Sequence, residues 1–317
     1  MWSLFRKDKV ENEIVLIVDV ENGSVGAALA YIPVKDQSGT AQDKPVFLAG
    51  SRVHLPVPQR LSGATLLVEI KDALYIALQN IRETTYPARA VVFFSPPWST
   101  LRQGKHGLEW DHNDDVISAV SAAVSESFDT IPISFQALGT AASSVVGDLF
   151  PDKQGMLLCT VTGEVTELIP VHDSVPYGRV TIPIGTNTLL RTLRAHTDMS
   201  DAEVRSSLRL MQHESSPIHS ALAEPLAATS AHFVKQYIDA VFDLAPHYLP
   251  SDVLVIAQEP SAMWFARMLA QSDNAAFPNL FPQGGTVRPL RNSRLAQHVI
   301  SRSPTADAIM MLETAAL

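Results

Sequence analysis

Residues 156–171, MLLCTVTGEVTELIPV, set an apolar run, a polar turn around Gly163 and a second apolar run in succession. Residues 16–32, LIVDVENGSVGAALAYI, repeat that plan about 140 residues earlier. Apolar segments of this length bounded by turn residues read as strands, and Asn22-Gly23 between two of them is a strong hairpin signal. A hairpin that recurs at the start of each half of a chain is an internal repeat, and such a repeat decides the fold.

The rest of the chain is arranged around these two hairpins. Strands are expected at about 14–20 and 25–33, joined by the turn Glu21-Asn22-Gly23-Ser24, and after a polar loop at 35–44 a third strand follows at 45–55. Leu66, Leu67, Ile70, Ala73, Leu74, Ala77, Leu78 and Ile81 recur at helical spacing behind an N-cap candidate, Ser62. Residues 88–97 read as a buried strand, too apolar to face water. The pattern weakens over 98–132, where a polar stretch precedes a modest amphipathic helix, DDVISAVSAAVSESF. A strand and a small-residue helix lead to the second hairpin, followed by a strand near 178–184. Helices are expected at about 186–196, 200–212, 217–246 and 261–271, with a strand at 252–258, a Pro/Gly-rich loop at 278–291 and a final packed apolar element. Two β-led halves of this kind make an α/β chain with mixed sheets.

Composition narrows the class. The 317 residues are long enough for two domains, 46% are apolar, and no apolar run approaches the roughly 20 residues that span a bilayer. The net charge of −9 argues against non-specific nucleic-acid binding. Cys159 is the one cysteine, which excludes an intrachain disulfide and suits a reducing compartment; on a buried strand it reads as a core residue. With no signal-peptide pattern behind the basic start MWSLFRKDK, a cytoplasmic protein is expected.

The duplicated hairpin resembles the two phosphate-binding turns of the actin-like ATPase superfamily. The stretch from Gly163 to Leu208 is similar to the matching part of the cell-division protein FtsA and the pilus-assembly protein PilM. The resemblance covers roughly 14–95 and 135–275. It implies an actin-like (ribonuclease H-like) duplicated fold, two domains each with a mixed β-sheet flanked by helices around a central cleft. The division implied is 1–134 and 135–317, with 198–250 as a helical subdomain and 98–132 as a reduced or incomplete form of the family's extra subdomain.

The resemblance also implies a ligand set. Asn22, Gly23, Ser24 and Val25 in the first turn would hold phosphate of ATP, with Asp19 placed toward Mg²⁺. In the second turn Thr162, Gly163, Glu164 and Thr166 match phosphate-binding positions, but Thr160 stands where the family has an aspartate. A hydroxyl cannot supply the charge that positions metal and water, so active hydrolysis is not expected. Glu203 and Arg205 fall on the helix matching the adenine-contacting one, with a solvated helix face as the alternative. Ala257-Gln258-Glu259-Pro260 lacks the glycine pair that the family sets against adenine and ribose; Pro260-Ser261 reads as a helix start.

Other constellations carry less. His106, Glu109, Asp111, His112, Asp114 and Asp115 match no zinc spacing and read as a solvated acidic loop; His213 and His219 read as loop residues. There is no G-x-S-x-G elbow, and the tail lacks the basic residues of a membrane-targeting helix. Three functions follow: an FtsA/PilM-like scaffold or adaptor in cell division or type IV pilus assembly with weak or lost ATPase activity, an ATP-binding switch of the same fold, and a small-molecule kinase. The first implies protein partners in such a complex, self-association, no nucleic acid, and at most a peripheral place at the inner face of the membrane.

Overall fold

The computed structural model describes residues 13–33, 44–57, 63–104, 107–210, 220–244, 249–259, 261–275 and 285–317. Ser62, His106, His213, His219, Pro260, the start of the chain, most of the 35–44 loop and the first half of the 278–291 loop lie outside these residues.

Side chains alternate faces along a strand, so the apolar runs that open each half can bury both faces of a sheet. The first half folds as β1 (Glu13–Val20), β2 (Ser24–Ile32), β3 (Val46–His54), α1 (Gly63–Ile81), β4 (Arg89–Phe94), β5 (Ser99–Gly104), β6 (Gly107–His112), α2 (Asp114–Phe128), β7 (Ile133–Ala137) and α3 (Leu138–Leu149). The second continues as β8 (Gly155–Val161), β9 (Thr166–His172), β10 (Val175–Pro176), β11 (Val180–Ile182), α4 (Thr186–His196), α5 (Asp201–Leu210), α6 (Ser220–Leu244), β12 (Val253–Ala257) and α7 (Ser261–Ala275). The last elements are β13 (Val287–Pro289), α8 (Asn292–Leu295), β14 (Ile300–Ser301) and α9 (Ala308–Ala315).

The first sheet has the order β14-β3-β2-β1-β4-β7 and the second β10-β9-β8-β12-β13, with β11 also on β9. In both, an antiparallel hairpin supplies the centre, and strands reached through helices add in parallel on the far side: β4 and β7 in the first, β12 and β13 in the second. The two halves therefore share one topology, as the repeated hairpin predicts.

Layering follows from the alternation. Leu16, Val18 and Val20 face outward beneath α1 and α2, whereas Val15 and Ile17 face a core shared by both sheets. On β8, Leu157, Cys159 and Val161 face α6 and α7, and Met156 and Leu158 face the shared core. Helices α3 and α9 fill the space between the sheets. The tail is thus a packed element, as its apolar run suggests. It also returns to the first half, since β14 pairs with β3 and α9 lies against β1, β2 and β3. A separate cluster of Leu189, Leu190, Leu193, Val204, Leu208, Leu222 and Leu226 joins α4, α5 and α6, and Val57 inserts into it from the first half.

The stretch expected to be a solvated acidic loop is different in its described part. Residues 99–104 and 107–112 form an antiparallel ribbon, a correction that the alternation of exposed Glu109 and Asp111 with half-buried Trp110 and His112 explains. Trp110 packs on the shared core, and a Cβ at Gly139 of α3 would lie 2.7 Å from its ring. His112 lies against Phe94, 5.4 Å between ring centres, and burial lowers its pKa. Asp114 and Asp115 begin α2 behind the N-cap Asn113, whose Oδ1 accepts from Val116 N–H at 3.1 Å. Among the described residues no group of His, Cys, Asp or Glu is arranged to hold a metal ion, and no helix is long and apolar enough to cross a membrane.

Trp110 anchors the ribbon to the body of the protein. Trp110→Ala should lower unfolding free energy by about 2 kcal/mol, less than for a fully enclosed tryptophan, measured by urea denaturation.

Candidate functional site

The side-chain rows that are apolar deep between the sheets turn polar at the hairpin turns. The row Val15-Ile17 ends in Asp19, and Met156-Leu158 ends in Thr160, so these two matched positions face the same layer. Both are buried, Asp19 completely. Thr160 Oγ1 has no hydrogen-bond partner among the described residues, and its cross-strand neighbour is the buried Glu167, which pairs with Arg179.

The two turns meet directly. A Cβ on Gly23 would lie 2.6 Å from Gly163 Cα, and one on Gly163 would lie 2.5 Å from Gly23 Cα. Both glycines are thus required by backbone-to-backbone approach. The Glu164 N–H, one of the groups expected to face phosphate, donates to Asn22 Oδ1 at 2.8 Å, while Asn22 Nδ2 donates to the Pro96 carbonyl at 3.1 Å. Val25 is paired with Val20 in the β1–β2 ladder.

The second turn is braced from behind. Thr162 donates through its N–H and its hydroxyl to the Val165 carbonyl, both at 2.9 Å. Thr166 Oγ1 donates to the Ile184 carbonyl at 2.7 Å. The first residues of α4 dock on the turn: Thr186 N–H donates to Thr162 O at 2.8 Å and Asn187 N–H to Gly163 O at 2.7 Å. The Glu164 carboxylate accepts from Asn187 Nδ2 at 2.8 Å and from both Arg191 Nη atoms at 3.0 and 2.7 Å. That forked, charge-assisted contact holds Glu164 toward α4.

Around the first turn lies a cluster of charges that sequence reasoning missed. Arg52 Nη1 sits 2.7 Å from Asp19 Oδ2, 3.8 Å from Glu21 Oε1 and 2.9 Å from Ser24 Oγ. Its Nε and Nη2 donate to the two oxygens of Asp307 at 2.6 and 3.3 Å. Gln258 Nε2 donates to Glu21 Oε2 at 3.0 Å and also contacts Ser24 Oγ. Gln258, at the place expected to hold glycine, thus ties the end of β12 to the first turn. Burial pushes Glu21 up to about 8, reinforced by the Asp19 charge. Burial also raises Asp19 against the pull of Arg52, and with the nearby Asp19 charge raises Glu313 of α9 well above its ordinary value. Burial opposes the Arg52 charge, but Asp307, Asp19 and Glu21 hold it firmly protonated.

Glu203 and Arg205 separate. Glu203 is exposed and reaches back to Ser200, accepting from its N–H and hydroxyl at 2.7 Å each, a capping-box arrangement at the start of α5. Arg205 lines the cleft with Glu21, Gly23, His54, Gly163, Gln258 and Glu259, and burial with Arg205 and Arg52 nearby lowers the His54 pKa to about 4. The space they enclose is about 20 Å³. That admits about one water, whereas small-molecule sites run to several hundred Å³. As arranged, these residues do not fit Mg²⁺: a guanidinium already faces the Asp19 carboxylate, and the matched second position is a hydroxyl.

No protein-family model matches the chain, and no curated protein does. Solved structures do. The PilM–PilN type IV pilus biogenesis complex aligns with TM-score 0.61 at 11% identity over 95% of this chain and 96% of that one. The ethanolamine utilization protein EutJ from Carboxydothermus hydrogenoformans aligns with TM-score 0.54 at 10% identity, over 96% and 88%. MreB5 of Spiroplasma citri bound to ADP aligns with TM-score 0.50 at 12% identity, over 96% and 94%. The fold is actin-like. The duplicated actin-like topology, with two mixed sheets and helices on both sides of each, is the one the paired hairpins predict.

Gly163→Ala should cost about 2 kcal/mol or more, because its Cβ meets backbone that cannot rotate away; thermal melting measures this. A second outcome concerns pH. Burial pushes Glu167 up to about 7, against Arg179, from an ordinary 4.5. A carboxyl whose pKa rises on folding stabilises fully below its unfolded value, and that contribution is lost as pH rises through the folded value. Glu21 adds a loss of the same sign toward pH 8. The melting temperature should therefore fall between about pH 4.5 and 8, most steeply below pH 7 where both groups contribute, and Glu167→Gln should make the fall shallower between about pH 4.5 and 7.

Proposed function

We propose that the chain is an actin-fold scaffold or adaptor that works through protein contacts in cell division or type IV pilus assembly, without ATP hydrolysis. The observation that carries this reading is the contact between the two phosphate-type turns, glycine against glycine, with the Glu164 N–H taken by Asn22. Phosphate binding at such turns requires inward N–H groups and open space. Here Asn22 takes one of those N–H groups, and each glycine occupies the space directly in front of the other turn.

Thr160 supports the same reading, since a hydroxyl replaces the second carboxylate that would position metal and water. Gln258 supports it too, by bridging the halves where a nucleoside would need open backbone. Under this reading ATP and Mg²⁺ are not needed for the closed state: Asn22, Gly23, Ser24, Gly163 and Glu164 hold the halves together, while Asp19, Val25 and Thr162 brace the turns within their own halves. The halves, which part after β7 of the first sheet rather than inside it at 134/135, act as a pair of bodies locked at the cleft. Similarity to a PilM in complex with PilN supports the pilus setting of the two, with protein partners and a cytoplasmic position reached through them.

The deciding experiment is thermal melting with and without Mg-ATP. A nucleotide that binds the folded chain raises its melting temperature by mass action. The scaffold reading expects no shift at millimolar Mg-ATP. A shift of several degrees that disappears in Asp19→Ala would instead establish the ATP-binding switch.

A further inference from the structure

Arg52 is a strand residue whose guanidinium lies over the sheet rather than in solvent. Its neighbour across the ladder is Gly26, where a Cβ would come within 3.1 Å of Arg52 Nη2. The missing side chain at Gly26 makes room for the guanidinium. The groups around it come from two distant parts of the chain: Asp19, Glu21 and Ser24 around the first turn, and Asp307 at the start of α9. Asp19 and Glu21 are 0% and 2% exposed and Arg52 is 10% exposed.

Carboxylates buried this deeply need a cation within reach or they destabilise the fold. We propose that Arg52 is the resident cation of the cleft: its guanidinium takes the charge-balancing place among Asp19, Glu21 and Asp307 that a divalent ion would otherwise fill, and thereby fastens the first turn to the start of α9. The fork geometry suits the task, with Nε and Nη2 on Asp307 and Nη1 on Asp19. The Asp307 carboxylate also accepts from Met310 N–H at 2.9 Å, so one group caps α9 and grips Arg52. A cation carried by the chain cannot dissociate, and the closed turns then require no metal. The inference rests on the scaffold reading for the meaning of that closure, but its geometry is its own.

The Arg52 cluster borders an open hollow of about 600 Å³ lined also by His54, Gln258 and Asp307, through which a free ion can reach it. Removing the guanidinium leaves a set of oxygen ligands suited to a hard cation. The test is thermal melting of the whole chain in EDTA and in millimolar Mn²⁺, with bound Mn²⁺ counted by electron paramagnetic resonance. The wild type should melt at the same temperature in both and bind no Mn²⁺ tightly. Arg52→Met should melt roughly 10 °C lower in EDTA and recover part of that loss in Mn²⁺. The double variant Arg52→Met/Asp19→Asn should melt above the single variant in EDTA and respond less to Mn²⁺.

The proposal is overturned if Arg52→Met melts like the wild type, if it gains nothing from Mn²⁺, if the double variant recovers nothing, or if Mn²⁺ stabilises the wild type. Should Arg52→Met fail to fold, folding of the double variant supports the proposal. Should neither fold, tight Mn²⁺ binding by the wild type overturns it and lack of such binding supports it. Failure of the scaffold reading shows instead as an Mg-ATP shift in the wild type, so the two are told apart.

Discussion

Gly23 and Gly163 touch through their α-carbons, and the way the two halves sit depends on that contact. Any side chain at either position would hold the turns apart by its own width. With both absent, Asn22 reaches the Glu164 N–H, Gln258 reaches Glu21, and the space left beside the turns themselves shrinks to the volume of about one water. The same residues would be ligand groups if the turns stood apart. Touching, they satisfy one another.

Below the turns, the layer between the sheets is apolar, built by α3, α9 and the inner rows of both sheets. Above, it holds Asp19, Glu21, Arg52, Asp307, Glu313, Thr160 and Glu167. Burying so much charge is unfavourable unless each carboxylate finds a cationic partner or takes up a proton and becomes neutral. Both solutions are present. Arg52 and Arg179 pair with carboxylates, while burial raises Glu313 and Glu21 toward their neutral forms. This polar end couples elements that the backbone keeps far apart, since Arg52 and Asp307 are separated by 255 positions.

The segment after β4 shows how a short insertion can still belong to the core. A two-stranded ribbon and one helix fill 99–128, and Trp110 presses the ribbon against Gly139. The resemblance to FtsA and PilM leads one to expect a larger subdomain there.

Most of the architecture was legible before folding. Asn22-Gly23 and Thr162-Gly163 between apolar runs mark two hairpins by local geometry alone, and the period of Leu66 to Ile81 marks α1 in the same way. Their duplication carries the topology of both sheets. The ribbon formed by 99–104 and 107–112 was hidden because its strands are short and carry few apolar residues, so their alternation is easily read as a polar loop. At the site, Asp19 and the substitution at Thr160 could be read from alignment of the two hairpins, because each is a property of one strand. Arg52, Asp307, Glu313 and Gln258 could not. Each looks ordinary in its own segment, and only the packing of β3, α9 and β12 around the first turn brings Arg52, Asp307 and Gln258 within 4 Å of a shared charge or its partners and lets Glu313 feel the Asp19 charge. Local periodicity is written in neighbouring residues, whereas electrostatic pairing depends on distances in space that only the folded chain sets.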